Sequence, residues 1–193
     1  MDLRQTGELA NKAAAVQWVK WVHPYTEPAY SNPEKHANVL KAAVIRAHCA
    51  KCLNMNGCCF AEDKCPKSPL HENCHCRVEH VDSLEITVEC PIEKISVYIF
   101  NPTEPNGKKK IFTDKGFSIA DSAGLKRELE RQAYNAYISG NYVLHDFDDY
   151  GQRINIVIVL KCPNGETIKF ISGWLVYPNG KIANSTPCRG NLI

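Results

Sequence analysis

The sequence predicts an α+β protein, in which a helical N-terminal segment with a cysteine-rich loop precedes a helix packed on a four-stranded antiparallel meander. Seven of the ten cysteines crowd into residues 49–76, where no hydrophobic periodicity is sustained. A long amphipathic helix pattern begins at Asp121, and four strand-like runs follow it, separated by turns rich in Asp, Asn and Gly. These features separate a cysteine-rich half from a half with a regular hydrophobic core.

The N-terminal part of the chain carries two helix patterns. Over residues 6–22 apolar residues recur at near-helical spacing, and the pattern ends before His23-Pro24. Ser31 and Pro33 then supply a polar cap and a first-turn proline for a second helix. This second helix is expected to end at Cys49, where the cysteine-rich loop begins.

The cysteine spacing points to a metal site. Cys-x2-Cys and Cys-x-Cys pairs each bring two thiolates to one ion, and a nearby histidine adds an imidazole, which together suit a closed tetrahedral zinc site. The predicted ligands are Cys49, Cys52 and Cys74, with Cys76 or His71 as the fourth. No general base accompanies them, so the zinc is predicted to be structural.

Two alternatives to zinc remain at this point. A disulfide framework would suit a loop-rich secreted segment, and the thiols could also be unpaired. Three further cysteines of the loop are surplus to one ion and are spare, paired or part of a second site: Cys58, Cys59 and Cys65.

The middle of the chain predicts a domain boundary near residues 80–92, which gives domains over 1–80 and 81–193. The runs SLEITVE and ISVYIF alternate like strands or short extended segments, and NPTEPNGKKK is a turn-rich basic linker.

The C-terminal domain has the clearest pattern. The helix that starts at Asp121-Ser122 is expected to end at Gly140 and to bury one apolar face, formed by Leu125, Leu129, Ala133, Ala136 and Tyr137. The strand candidates after it are YVLHDF, RINIVIVLK, ETIKFISGWLVY and KIANST. Asn-Gly dipeptides favour tight hairpins, so the four strands are expected to form a meander.

Composition excludes little. The net charge of +2 creates no global field, so binding of nucleic acid requires a local patch. No apolar run approaches the roughly 20 residues of a membrane helix. The N-terminus lacks the layout of a signal peptide, so we expect a soluble protein with no membrane partner.

The cysteine-rich segment resembles a known motif. CAKCLNMNGCCF and SPLHENCHC are similar to the C-terminal part of phage minor head proteins of the Mu F and SPP1 head-morphogenesis type. The resemblance covers residues 40–80, and the extra cysteines depart from the pattern. The main helical body of such a head protein is absent from the sequence.

The C-terminal half resembles a second family. GKKKIFTDKGF, the helix near Leu125, DDYGQRINIVIVLKCPNGETIKFISGWLVYPNG and NSTP are similar to a small domain of unknown function found at the C-termini of polymorphic bacterial toxins and phage head proteins. That domain is grouped with the barnase, EndoU, colicin and RelE ribonucleases, the BECR fold, whose core is a helix followed by an antiparallel sheet. The resemblance implies a cytoplasmic bacterial or phage protein, a toxin delivered to a target cell, or a component packaged in a virion.

A metal-independent ribonuclease needs a proton acceptor for the 2′-hydroxyl, a proton donor for the leaving oxygen, and cations or hydroxyls on the phosphate. The predicted catalytic residues are His145, Arg153, Lys110 and Thr186. The predicted substrate-binding residues are Lys108, Lys109, Ser172 and Trp174.

Each of these residues also has a structural interpretation. A single strand histidine is a weak catalytic signal, and Trp174 suits packing between sheet and helix as well as stacking on a base. The lysine run suits a solvated loop. The Ser185-Thr186-Pro187 sequence suits a simple turn.

The leading hypothesis is therefore a toxin-type ribonuclease acting on RNA, such as tRNA, and neutralised by a dedicated immunity protein. A second hypothesis is a non-enzymatic phage or prophage structural or interaction protein. A third is nucleic-acid binding without cleavage.

Overall fold

The computed structural model describes residues 16–23, 50–68, 70, 72, 74, 76–100, 108–148, 150–189 and 192–193. The strands are β1 (Trp18–Val22), β2 (Cys59–Ala61), β3 (Arg77–Val81), β4 (Thr87–Glu89), β5 (Val143–Asp148), β6 (Gly151–Lys161), β7 (Thr167–Val176) and β8 (Lys181–Arg189). The α-helices are α1 (Ala50–Met55), α2 (Lys108–Thr113) and α3 (Ser122–Ile138). Short 3-10 helices cover Glu62–Lys64 and Ile119–Asp121, and a π-helix covers Lys94–Ile99.

The C-terminal sheet has the strand order β4-β8-β7-β6-β5. Strands β5 to β8 are antiparallel neighbours, and β4 adds a fifth strand parallel to β8. The β7–β8 turn contains Asn179 and Gly180, both with positive φ, which is the conformation that a tight hairpin requires. The predicted α+β class is confirmed, with a mixed five-stranded sheet.

Helix α3 buries the face that its sequence predicts. Leu125, Leu129, Ala133 and Tyr137 have almost no exposed surface. The helix ends before Gly140, which has a φ of +68°. The opposing layer comes from alternate residues of β6, namely Ile154, Ile156, Ile158 and Leu160.

The N-terminal sheet corrects the first helix prediction. Residues 18–22, predicted as the end of a helix, form the central strand of a three-stranded sheet with the order β2-β1-β3. The run WVKWV consists mainly of β-branched and aromatic residues, and pairing on both sides overrides the weak helical spacing. The second predicted helix, from Ser31 to Cys49, lies outside the described residues.

The run ISVYIF is helical where an extended segment was expected. Residues Lys94–Ile99 form the π-helix, in which Ile95 and Ile99 are both buried. Two apolar residues four positions apart lie on one face of a helix, so burial of this pair overrides the alternating pattern.

Two tyrosines join the N-terminal sheet to the C-terminal half. The hydroxyl of Tyr137 donates a hydrogen bond to the carbonyl of Cys59, and the hydroxyl of Tyr142 accepts one from the N–H of Ala61 at 2.9 Å. The ring of Trp18 packs 5.1 Å from that of Tyr137. Buried residues of both halves form one hydrophobic core. Among the described helices, none is long and apolar enough to cross a membrane.

Replacing Tyr142 with Phe removes only the hydroxyl that accepts the Ala61 N–H. We expect the free energy of unfolding to fall by about 1–3 kcal/mol, because a buried backbone donor then lacks a partner. Urea unfolding followed by tryptophan fluorescence measures the change. The control is Tyr134→Phe, since this ring is 42% exposed on α3. Equal destabilisation by the two substitutions would contradict the assignment.

Candidate functional site

Three thiols of the cysteine-rich segment converge. The sulfur atoms of Cys52, Cys74 and Cys76 all lie within 4.8 Å of one another, and the first two are 3.8 Å apart. Two thiolates bound tetrahedrally at about 2.3 Å from one ion lie about 3.8 Å apart, so the spacing suits a metal. The predicted ligands Cys49 and His71 lie outside the described residues.

The local fold fixes this cluster from two sides. Cys52 is buried on α1, and Cys76 directly precedes β3, which pairs with β1 along its whole length. The hydroxyl of Ser68 donates to the carbonyl of Cys76 at 2.9 Å. Burial raises the pKa of the Cys74 thiol, but hydrogen bonds with the backbone of Cys76 and Leu70 and with the neighbouring thiols outweigh it, so the pKa is lowered. Burial raises the pKa of the neighbouring Cys76 thiol, so of these two thiols Cys74 is the one that favours the thiolate.

The remaining cysteines of the described ranges play a different part. No disulfide joins the nine cysteines in that part of the chain. Cys58, Cys59 and Cys65 do not join the three-thiol cluster. Burial raises the pKa of Cys58 to about 12 and that of Cys65 to about 11, so both thiols stay protonated at neutral pH. They act as small packing residues.

The second group of candidate residues lies on the face of the C-terminal sheet turned away from the core. Along β6, Arg153, Asn155 and Val157 are partly exposed and alternate with the buried isoleucines, as the sequence pattern predicts. Arg153 lies opposite Leu175 of β7, and Asn155 lies opposite Gly173. Gly173 is buried and has no side chain, so side chains of β8 approach its backbone closely.

Strand β8 pairs irregularly with β7 around Gly173. Asn184 lies opposite Trp174, but Thr186 lies opposite Gly173, so Ser185 is an extra residue in the ladder. A second shift places Arg189 opposite Ile171. Such bulges redirect side chains and are common beside active sites.

The bulges gather polar side chains above Gly173. Ser185 Oγ, Thr186 Cβ and Arg189 Cδ lie 3.2, 3.6 and 3.2 Å from the point that a Cβ on Gly173 would occupy. Arg189 Nη1 donates to Asn155 Oδ1 at 3.4 Å, and Lys94 Nζ donates to the carbonyl of Ser185 at 3.2 Å.

His145 lies beside Arg153 at a bulge of β5. The pairing of β5 with β6 shifts between Leu144 and Phe147, so His145 and Asp146 together lie opposite Arg153. The imidazole is 28% exposed. Its Nδ1 lies 2.9 Å from Asp146 Oδ1 and 2.5 Å from the Asp146 backbone nitrogen. Nδ1 makes one of these hydrogen bonds at a time, because it accepts from the N–H in one tautomer and donates to the carboxylate in the other. The tautomer that donates to Asp146 leaves the Nε2 lone pair available to a substrate.

We name this surface the cationic face. It comprises Lys94, His145, Arg153, Asn155, Ser185, Thr186 and Arg189. His145 and Thr186 are on strands three steps apart, about 14 Å at a spacing of about 4.8 Å, so they do not meet at one atom.

Several predicted site residues lie elsewhere. Trp174 and Ser172 are fully buried, so Trp174 packs in the core and cannot stack on a base. Ser172 instead accepts a hydrogen bond from Asn184 Nδ2 at 3.0 Å. Helix α2, which carries the lysine run Lys108–Lys110, packs through Phe112 on the core-side ring of Phe170. Helix α2 is therefore packed on the core side of the sheet, and the cationic face is on the other side.

A cavity of about 930 Å³ lies between α3 and the end of β6. Its Arg131 pairs with Glu128 at 2.6 Å, which neutralises part of its charge. Neither His145 nor Arg153 lines this cavity. The volume of a cavity therefore does not locate the candidate catalytic residues.

Sequence reasoning missed Lys94, Asn155 and Arg189 as site residues. The alternation of β6 does place Asn155 beside Arg153 and is a signal that could have found it. No sequence pattern predicts the β8 bulges, which bring Arg189 close to Gly173.

Comparison with known proteins gives one match. A family model described as domain of unknown function (DUF6883) matches residues 82–186. No curated protein and no solved structure matches the chain.

Proposed function

The chain belongs to the family described as domain of unknown function DUF6883, and we propose that it is a toxin-type ribonuclease that cleaves RNA, such as tRNA, without a catalytic metal. The observation that carries the proposal is the cationic face, where a histidine, two arginines, a lysine and two hydroxyls share one exposed surface. A helix followed by an antiparallel meander is also the core that the BECR resemblance implies.

The proposed reaction uses His145 as the base. Its Nε2 takes the proton of a ribose 2′-hydroxyl, and the resulting 2′-oxygen attacks the adjacent phosphorus. The P–O5′ bond breaks, and the departing oxygen takes a proton from water. The products are a 2′,3′-cyclic phosphate and a 5′-hydroxyl end.

The cations stabilise the charge that develops in this step. Arg153 lies opposite His145 in the sheet and is assigned to the phosphate under attack. Arg189 and the hydroxyls of Ser185 and Thr186 are two strands further on, so we assign them to the next phosphate of the same strand. Thr186 thus anchors the RNA and does not transfer the proton.

We also propose that the three-thiol cluster binds a structural zinc ion with Cys49 as the fourth ligand. Cys49 precedes Cys52 by three positions, the spacing of one helical turn, and α1 begins at the residue after it. Thiolate ligands favour zinc among the common divalent ions. Four protein ligands leave no coordination position open for water or substrate, so we assign the ion a structural role. The segment that it supports is the one that resembles phage minor head proteins.

A toxin requires a neutralising partner in the cell that makes it. We propose an immunity protein that covers the cationic face with an acidic surface, because complementary charge blocks access of RNA and accelerates association. Such a partner would be displaced by high salt more readily than by mild denaturant.

Purified protein incubated with total RNA and with tRNA is expected to give discrete cuts with cyclic-phosphate ends, mapped by sequencing. Excess chelator during the assay should leave cleavage unchanged, with the zinc content of the protein measured afterwards. His145→Ala should lower the rate roughly 100- to 10,000-fold, the usual contribution of a positioned acid or base. Arg153→Ala should lower it roughly 100-fold or more.

The matched control for these variants is Lys161→Ala. Lys161 is an exposed cation on the same strand, eight residues from Arg153, which is about 26 Å at the rise of a β-strand. It should keep full activity, and all variants should keep the wild-type melting temperature. Intact RNA at high protein concentration would favour the non-enzymatic interaction module.

Metal analysis of the purified protein is expected to find one zinc ion per chain. Cys52→Ser should lose it and lower the melting temperature by roughly 5 °C or more, since about 1 kcal/mol corresponds to 2–4 °C in a chain of this size. Cys65→Ser should keep the zinc, because Cys65 is in the same segment but outside the cluster. Loss of zinc in Cys49→Ser with retention in His71→Ala supports Cys49, and the reverse result overturns it.

A further inference from the structure

A groove adjoins the cationic face at the end of the sheet where the β5–β6 and β7–β8 turns lie. It measures about 580 Å³, and its lining includes Glu89, Lys94, Tyr150, Arg153, Tyr177 and Lys181. Two of these residues, Lys94 and Arg153, belong to the cationic face as well. The groove is therefore continuous with the proposed site of phosphate chemistry.

We propose that this groove binds unpaired nucleotides of single-stranded RNA, with their bases stacked on Tyr150 and Tyr177. This inference rests on the proposed ribonuclease function and adds the substrate class. It places the bases beside the phosphate that Arg153 contacts.

The two tyrosine rings are accessible to a ligand. Tyr150 is 73% exposed and Tyr177 is 40% exposed, whereas the buried Trp174 presents no surface. Every base has a flat face that can stack on such a ring, and stacking platforms of this kind are typical of single-strand binding. Exposed tyrosines in a groove that is also lined by cations therefore suit RNA better than an apolar partner.

The strand register places Tyr177 on the face that carries Arg153. Arg153 lies opposite Leu175, and the ladder extended by two residues sets Gly151 opposite Tyr177. Side chains two residues apart share a face of a strand, so Tyr177 lies on the side that carries Arg153. Tyr150 lines the same groove from the β5–β6 turn, next to the buried Gly151, whose φ is +120°.

The charge of the groove suits an RNA backbone. Its lining has three cations and one carboxylate, a net charge of +2. The carboxylate of Glu89 accepts from Lys181 Nζ at 2.5 Å, and the same nitrogen lies 5.9 Å from the centre of the Tyr177 ring. This contact holds the ring in place beside the cations.

Stacking on both rings selects against duplex RNA. In a duplex each base face is covered by its neighbours, so only unpaired bases in loops, bulges or ends can lie on an aromatic ring. The inferred substrate is therefore a single-stranded segment such as an RNA loop.

The test measures binding separately from cleavage. In the His145→Ala background, fluorescence anisotropy compares a labelled single-stranded oligoribonucleotide with the same strand annealed to its complement. We expect the single strand to bind at least 10-fold tighter. A 2-aminopurine base in the strand should lose fluorescence on binding, because stacking quenches it.

Variants then assign the stacking residues. Tyr150→Ala and Tyr177→Ala should each weaken single-strand binding roughly 5- to 150-fold, the range for one stacked base. Tyr150→Phe and Tyr177→Phe should retain it, because the ring remains. The control is Tyr134→Ala, an exposed tyrosine of α3 that does not line this groove.

The outcomes distinguish this inference from the proposed function. Cleavage that is unaffected by both alanine substitutions, or equal affinity for duplex and single strand, overturns the stacking site and leaves the ribonuclease intact. Tight, tyrosine-dependent single-strand binding by a wild-type protein that cuts no RNA overturns the ribonuclease and retains the groove.

Discussion

The fold depends on helix α3 completing the hydrogen bonding of two sheet edges. Gln132 donates to the carbonyl of Val159 at 2.6 Å and accepts from its N–H at 2.9 Å, where β6 runs on beyond β5. Tyr137, together with Tyr142 just after the helix, bonds the outer edge of β2 in the same way. Exposed sheet edges otherwise pair with other chains, and buried ones leave costly unpaired groups. The helix therefore ties two small sheets, each marginal by itself, into one core.

This arrangement explains which parts of the structure follow from sequence. Periodicity predicts α3, and the Asn-Gly turns predict the meander, because local propensity and burial agree there. The strand Trp18–Val22 was predicted as a helix, since its conformation comes from pairing with β2 and β3, which are distant in sequence. The π-helix was missed for the same reason, because contacts outside the segment decide between the two patterns.

The candidate site was predictable only in part. His145, Arg153 and Thr186 are predicted from their chemistry, and the register of β6 places Arg153 on the partly exposed side as expected. The bulges that bring Ser185 and Arg189 over Gly173 depend on how β7 and β8 pair, which no residue pattern encodes. The lysines of α2 and the ring of Trp174 were predicted as site residues because charge and aromaticity can be read from the sequence. The sequence does not show whether a side chain is buried or which side of the sheet it lies on.

The cysteine-rich segment contacts the end of the sheet where the β5–β6 and β7–β8 turns lie. The carbonyl of Asn54, on the helix that carries Cys52, lies 3.8 Å from where a side chain on Gly151 would begin. Gly57 accepts from the N–H of Asn179 at 3.0 Å, in the β7–β8 turn. These contacts support the turns that bear Tyr150 and Tyr177. A metal ion at the thiol cluster would stiffen that support, because it fixes α1 to the loop before β3 and closes a segment that has little apolar surface of its own. The metal site and the cationic face would then have separate chemical roles, and the contacts of α1 with the sheet would connect them. Under the proposed function the ion would take no part in phosphate chemistry and would instead determine how firmly the end of the sheet that bears Tyr150 and Tyr177 is held.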